Sequence, residues 1–152
     1  MTTPHHFLQS ARAVSAISAL SATALWAIPV SAEDVAFHPL NIVKECSQDT
    51  GKSGGFCSIT KSSLAAIPVG SKVFYYGPFT EGPFVSSTIM LNAGGDNTAI
   101  GYCNVDNAKS TGTCTFWAGS GTLQGFAALL ELTPDANGTD YHWDGGYNLN
   151  GK

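Results

Sequence analysis

Four cysteines, Cys46, Cys57, Cys103 and Cys114, fall into two pairs eleven positions apart, and each pair encloses a turn-rich stretch. The first stretch is Ser47-Gln48-Asp49-Thr50-Gly51-Lys52-Ser53-Gly54-Gly55-Phe56, and the second is Asn104-Val105-Asp106-Asn107-Ala108-Lys109-Ser110-Thr111-Gly112-Thr113. Each reads as a hairpin whose arms a disulfide would bridge, giving Cys46–Cys57 and Cys103–Cys114. Crossed pairings would close longer loops at slightly greater entropic gain, so energy alone does not choose among the three connectivities. A metal site would need cysteines separated by two to four residues or nearby histidine ligands, and a redox centre would need C-x-x-C; none of these occurs. The cysteines are therefore read as structural, which implies an oxidising compartment.

The N-terminal segment agrees with that compartment. Arg12 is the one charged residue before Glu33, and an apolar, small-residue run from Ala13 to Val30 ends in Val30-Ser31-Ala32. This is the pattern of a secretory signal peptide cut after Ala32. No basic stop-transfer cluster follows it, so no stable membrane anchor is expected. The expected organisation is a cleaved leader over residues 1–32 and a single domain over residues 33–152, secreted or periplasmic.

Charged residues make up 12% of the chain, about half the usual share, while glycine is abundant and scattered at 17 residues. Such a composition suits short strands and tight turns better than helices, whose exposed faces need charge. Without the leader, six basic residues face eleven acidic ones, a net charge of −5. That balance disfavours nucleic acid and anionic membranes as partners. Segments of strand character run over Val35–Lys44, Phe56–Lys61, Ser71–Tyr76, Phe84–Asn92, Thr98–Val105, Gly112–Trp117 and Tyr141–Leu149. Pro39 would confine the first to an edge or a bulge, and Asp144-Gly145-Gly146 suggests a bulge or twist in the last. Leu123–Leu132 fits a strand or a short amphipathic helix; Gly125 and the bounding turns favour strand. Seven or eight short strands imply an all-β domain, a sandwich or a small antiparallel barrel.

The run Gly119-Ser120-Gly121-Thr122-Leu123-Gln124-Gly125-Phe126, a glycine-rich turn entering a strand, and the aromatic closing segment Tyr141-His142-Trp143-Asp144-Gly145-Gly146-Tyr147 carry a family likeness. Over Phe84–Leu149 the chain resembles the allene oxide cyclase–like barrels, a group related in shape to dirigent proteins. The resemblance implies an antiparallel barrel of about eight strands, stapled here by two disulfides, around an apolar cavity. It also implies kinship with oligomeric isomerases that fold a reactive epoxide and with proteins that steer radical coupling. It covers the second half only and brings no catalytic residue with it.

Aromatic residues are the candidates for ligand contact. On a strand, Tyr141, Trp143 and Tyr147 share one face while His142, Asp144 and Asn148 take the other. Tyr75 and Tyr102 would join the inward set, with Trp117 a further candidate. Tyr75, Tyr102, Trp143 and Tyr147 are thus the expected ligand-binding residues; alternatively, these rings merely fill the barrel. Glu131 lies in an apolar run and would become a catalytic acid or base if buried. However, Phe126, Ala128, Leu130 and Leu132 form the more apolar face, which sends Glu131 outward. His142 and Asp144 form an H-x-D pair at strand spacing but supply only two ligands, so no metal or other cofactor is expected. Asn137-Gly138-Thr139 is a formal glycosylation sequon.

Three functions fit this pattern: an exported, non-catalytic barrel that binds a small apolar or aromatic molecule, a structural or interaction module with a filled barrel, and an isomerase that works by confinement. An empty cavity of a few hundred cubic ångströms separates the filled module from the other two. A buried, hydrogen-bonded carboxylate or tyrosine inside it would favour an enzyme. The sparse charge leaves room for a homo-oligomer without requiring one.

Overall fold

The computed structural model describes residues 37–52, 54–76 and 82–149; the expected leader lies outside them. Eight strands follow one another along the chain: β1 (His38–Glu45), β2 (Phe56–Ser62), β3 (Lys72–Tyr76), β4 (Phe84–Asn92), β5 (Thr98–Asp106), β6 (Thr111–Gly119), β7 (Phe126–Pro134) and β8 (Asp140–Leu149). A 3-10 turn, Gly121–Leu123, sits between β6 and β7. Every strand pairs antiparallel with its sequence neighbours, and β8 returns to β1, closing the sheet into an eight-stranded barrel. The closing ladder runs without interruption from His38 opposite Tyr147 to Glu45 opposite Asp140. The Leu123–Leu132 ambiguity resolves as the 3-10 turn followed by strand, because alternate residues from Phe126 to Leu132 are buried.

Closure sorts side chains by the two-residue period of a strand into an inner and an outer row. Leu40 and Ile42 on β1, Cys57 and Ile59 on β2, and Leu130 on β7 are at most 1% exposed. A stack of rings continues the core: Trp143 meets Phe116 edge-on at 5.6 Å, Phe116 meets Phe126 at 5.6 Å, and Phe126 reaches Tyr147 at 6.2 Å. At the end of the barrel where β2–β3 and β6–β7 connect, Ile67 and Leu123 are fully buried and plug the interior.

Pro39 lies where β1 pairs with β8 alone, since the ladder to β2 begins only at Ile42 opposite Ser62. It is thus tolerated without a bulge of its own, because one side of β1 there asks for no ladder donor. A register shift does occur between Val43 and Lys44, which leaves Thr60 of β2 as the extra residue, and both Thr60 and Lys61 point outward. No bulge forms at Asp144-Gly145-Gly146, where β8 pairs continuously with both neighbours. Glycine is needed there for a different reason: a Cβ on Gly145 would stand 2.1 Å from the Leu129 carbonyl oxygen.

Both disulfides follow the local pairing, Cys46–Cys57 and Cys103–Cys114, each with Cα atoms 4.1 Å apart. Cys103 and Cys114 face each other directly across β5 and β6. Cys57, Cys103 and Cys114 are buried, so the staples belong to the barrel lining. Two such bonds point to an oxidising environment.

Replacing Gly145 with Ala should destabilise the fold by about 2 kcal/mol, as forced overpacking does. Replacing the Cys103–Cys114 pair with alanines should cost about 3 kcal/mol, the value for a loop of this size. Chemical denaturation read by far-ultraviolet circular dichroism checks both.

Candidate functional site

The alternation that buries Leu40 and Ile42 continues for one more step, and the next inward residue is Lys44. It is 3% exposed. Its amine stands over three aromatic faces, 4.4 Å from the Trp143 ring centre, 5.1 Å from Tyr75 and 5.6 Å from Tyr141. Nζ donates to the Tyr75 hydroxyl and lies 4.0 Å from Cys57 Sγ. The Tyr75 hydroxyl is in turn 3.5 Å from that sulfur. Among the described residues Lys44 forms no ion pair.

Each element contributes for a local reason. The bulge at Thr60 sets Lys44 opposite Ile59, next to the Cys46–Cys57 bridge. Tyr75 is held at the end of β3 by its place opposite Ile89, and its backbone N–H donates to the Gly55 carbonyl at 3.3 Å. Tyr141 lies directly opposite Lys44 across the closing ladder, with Trp143 one inward step further in.

A cavity of about 550 Å³ opens above this cluster, at the end of the barrel opposite the plug. Lys44, Tyr75 and Tyr141 line it, together with Ser87 and Val85 of β4, Cys103 and Val105 of β5, and Leu132 of β7. Asp49, Asn107 and Thr139 contribute from the connections at that end. The lining combines apolar walls from Val85, Val105 and Leu132 with polar groups from Lys44, Asp49, Tyr75, Ser87, Asn107, Thr139 and Tyr141, a mixed surface that can hold and orient a small molecule. Ser87 is satisfied internally, since its hydroxyl lies 3.0 Å from the main-chain carbonyls of both Tyr76 and Thr88 and can donate to either.

Burial governs the electrostatics. Loss of hydration lowers the Lys44 amine from its usual value to about 7, against a smaller opposing pull from the Asp49 carboxylate. The Tyr75 hydroxyl is pushed up by burial first, then by the negative charge of Asp49 and by Tyr141. Both shifts favour uncharged forms, so a substantial share of Lys44 is free amine near neutral pH, beside a neutral phenol. Trp143 Nε1 is buried and has no hydrogen-bond partner among the described residues.

The four aromatic residues expected at a ligand site separate. Tyr75 lines the cavity, while Trp143 is fully buried beneath the amine and supports it. Tyr102 is corrected to the outer face, 42% exposed, because its neighbour Cys103 turns inward to meet Cys114. Trp117, 58% exposed, is also outside. Tyr147 packs against His38 and Phe126 at the far end of the barrel, away from the cavity. Glu131 points outward, as the apolar face of β7 requires. His142 and Asp144 do not act together: His142 Nε2 is 3.8 Å from Asp135, and Asp144 accepts from Asn41 Nδ2 at 2.7 Å. Among the described residues no cluster of three or more His, Cys, Asp or Glu side chains is placed to hold a metal ion.

The residue that sequence reasoning missed is Lys44. Its signal was present as the third member of the series Leu40, Ile42, Lys44 at strand spacing, ending two residues before Cys46. Comparison with protein-family models, with curated proteins and with solved structures finds no match to this chain.

The lowered amine carries a sign. Between pH 7 and 10.5 the unfolded chain binds the proton that the folded chain has released, so stability rises with pH across that window. Below pH 7 both states hold the proton and the penalty is constant. Raising the pH from 7 to 9 should stabilise the fold by about 2 kcal/mol, and Lys44→Met should remove that rise. Urea denaturation at both pH values measures it.

Proposed function

We propose that the protein is exported, loses its leader after Ala32, and acts as an oxidised, secreted or periplasmic barrel that binds one small apolar or aromatic molecule. The observation that carries this reading is the cavity of about 550 Å³ at the unplugged end. Eight strands leave an interior that side chains can fill or that can hold one small ligand. Here rings and aliphatic side chains fill the interior around Phe116, Phe126 and Trp143, and among the described residues a cavity lies above them. A module with a filled barrel would have no use for that space. The lining supplies apolar walls from Val85, Val105 and Leu132, and Lys44, Tyr75 and Tyr141 offer polar tips to orient a guest.

A second reading, an allene oxide cyclase–like isomerase, is favoured by one specific feature. Tyr75 is a buried, hydrogen-bonded hydroxyl on the cavity wall. Such a group would serve a reaction by confinement as well as it serves binding. Turnover of a substrate without net binding of product would distinguish the isomerase from the binder.

The test uses N-phenyl-1-naphthylamine, a neutral apolar fluorophore, on the intact disulfide-bonded protein. Wild type should bind one equivalent with enhanced emission. Val85→Trp, which fills the cavity from β4 without altering Lys44, should weaken binding by about tenfold or more while leaving the circular dichroism unchanged. Absence of saturable binding by folded wild type, or equal binding by folded Val85→Trp, would contradict the proposal.

A further inference from the structure

We propose that Lys44 is a covalent capture site, whose amine condenses reversibly with a small apolar or aromatic aldehyde seated in the cavity. The inference rests on the binding reading above and names the ligand class for that same site.

Geometry carries it. The amine is on the cavity wall, yet its immediate neighbours are the faces of Trp143, Tyr75 and Tyr141 and a disulfide sulfur. A surface lysine is a hydrated ammonium with no lone pair to offer; a lysine held in apolar surroundings keeps its free base and becomes a nucleophile. The titratable groups that face Lys44 in the cavity are Tyr75 from β3, Tyr141 from β8 and Asp49 from the β1–β2 connection. Of these, Asp49 is the one carboxylate, and it forms no ion pair with the amine. The lowering of Lys44 to about 7 agrees with this arrangement.

The step balances without an oxidant or reductant. The nitrogen lone pair forms a bond to the carbonyl carbon, and the carbonyl oxygen takes up a proton released by the amine, giving a carbinolamine. The hydroxyl then leaves as water as the remaining N–H proton is lost and the C=N bond forms. The Tyr75 hydroxyl, hydrogen-bonded to Nζ and kept neutral by burial, is placed to relay these protons. An aldehyde fits better than a ketone because the amine is already packed against three rings, and an aldimine carbon carries one substituent rather than two.

The experiment incubates the intact protein at pH 7 with 2-naphthaldehyde and sodium cyanoborohydride, followed by intact mass and peptide mapping. One adduct per chain is expected, on Lys44, in preference to the exposed Lys52, Lys61, Lys72 and Lys109 by on the order of tenfold or more. Lys44→Met and Lys44→Arg should lose the adduct, and Val85→Trp, which fills the cavity, should lose both the adduct and the fluorophore. Labelling spread over the surface lysines, or an unlabelled Lys44 in protein that binds the fluorophore, would overturn the inference and leave the binding reading intact. Lys44-dependent binding of 2-naphthoate without an aldehyde adduct would also overturn it, by making the residue a cation for an anionic guest. Site-selective labelling without fluorophore binding would support the capture site and count against a general apolar binder.

Discussion

The ladder between β1 and β8 is the constraint on which the rest of the structure depends. An open sheet of eight short strands would leave its first and last members with unpaired main-chain groups and one exposed apolar face. Closure removes both problems, and it fixes which residues face inward. Because β1 and β8 pair continuously from His38 and Tyr147 to Glu45 and Asp140, the inward row of β1 is set without freedom to slip. Leu40 and Ile42 gain burial from that register, and Lys44 is carried inside with them.

Carrying a lysine inside is costly, since an ammonium stripped of water is strongly disfavoured. The barrel accommodates the residue by surrounding it with aromatic faces and a phenolic hydroxyl, and the Asp49 carboxylate nearby forms no ion pair with it. A cation over ring faces recovers part of the lost hydration, but less than an ion pair would. The remaining deficit appears as a lowered proton affinity. The disulfides help to hold this arrangement: Cys46–Cys57 ties the β1–β2 hairpin beside the amine, and Cys46 and Cys103 form part of the cavity wall. Structural covalent chemistry and the candidate site are therefore the same surface seen from two sides.

Much of the architecture was legible in the sequence, and for physical reasons. Strand segments announced themselves by β-branched and aromatic residues between glycine, proline and asparagine turns, and the equal spacing of cysteines matched hairpins whose arms are bridged. Placement of individual rings was less legible. Tyr102 looked inward only until the Cys103–Cys114 bridge was put inside, after which the two-residue period sends it out. Tyr147 has the inward phase but the wrong level, since a sequence gives the face of a strand more readily than the height along the barrel. Gly145 looked like a bulge, whereas its role is close approach to the Leu129 carbonyl, which depends on two strands far apart in the chain. Lys44 was overlooked because a charged residue at a strand end is normally read as its solvated terminus.

The central claim is that the barrel holds a buried amine of lowered proton affinity facing a cavity. Titration of the lysine side chains by carbon-detected nuclear magnetic resonance on labelled, disulfide-bonded protein tests this most directly, with Lys44→Met to assign the signal. The account predicts that Lys44 titrates near pH 7 in the folded protein, while the exposed lysines remain close to about 10.4. A Lys44 signal that titrates together with the surface lysines would contradict it.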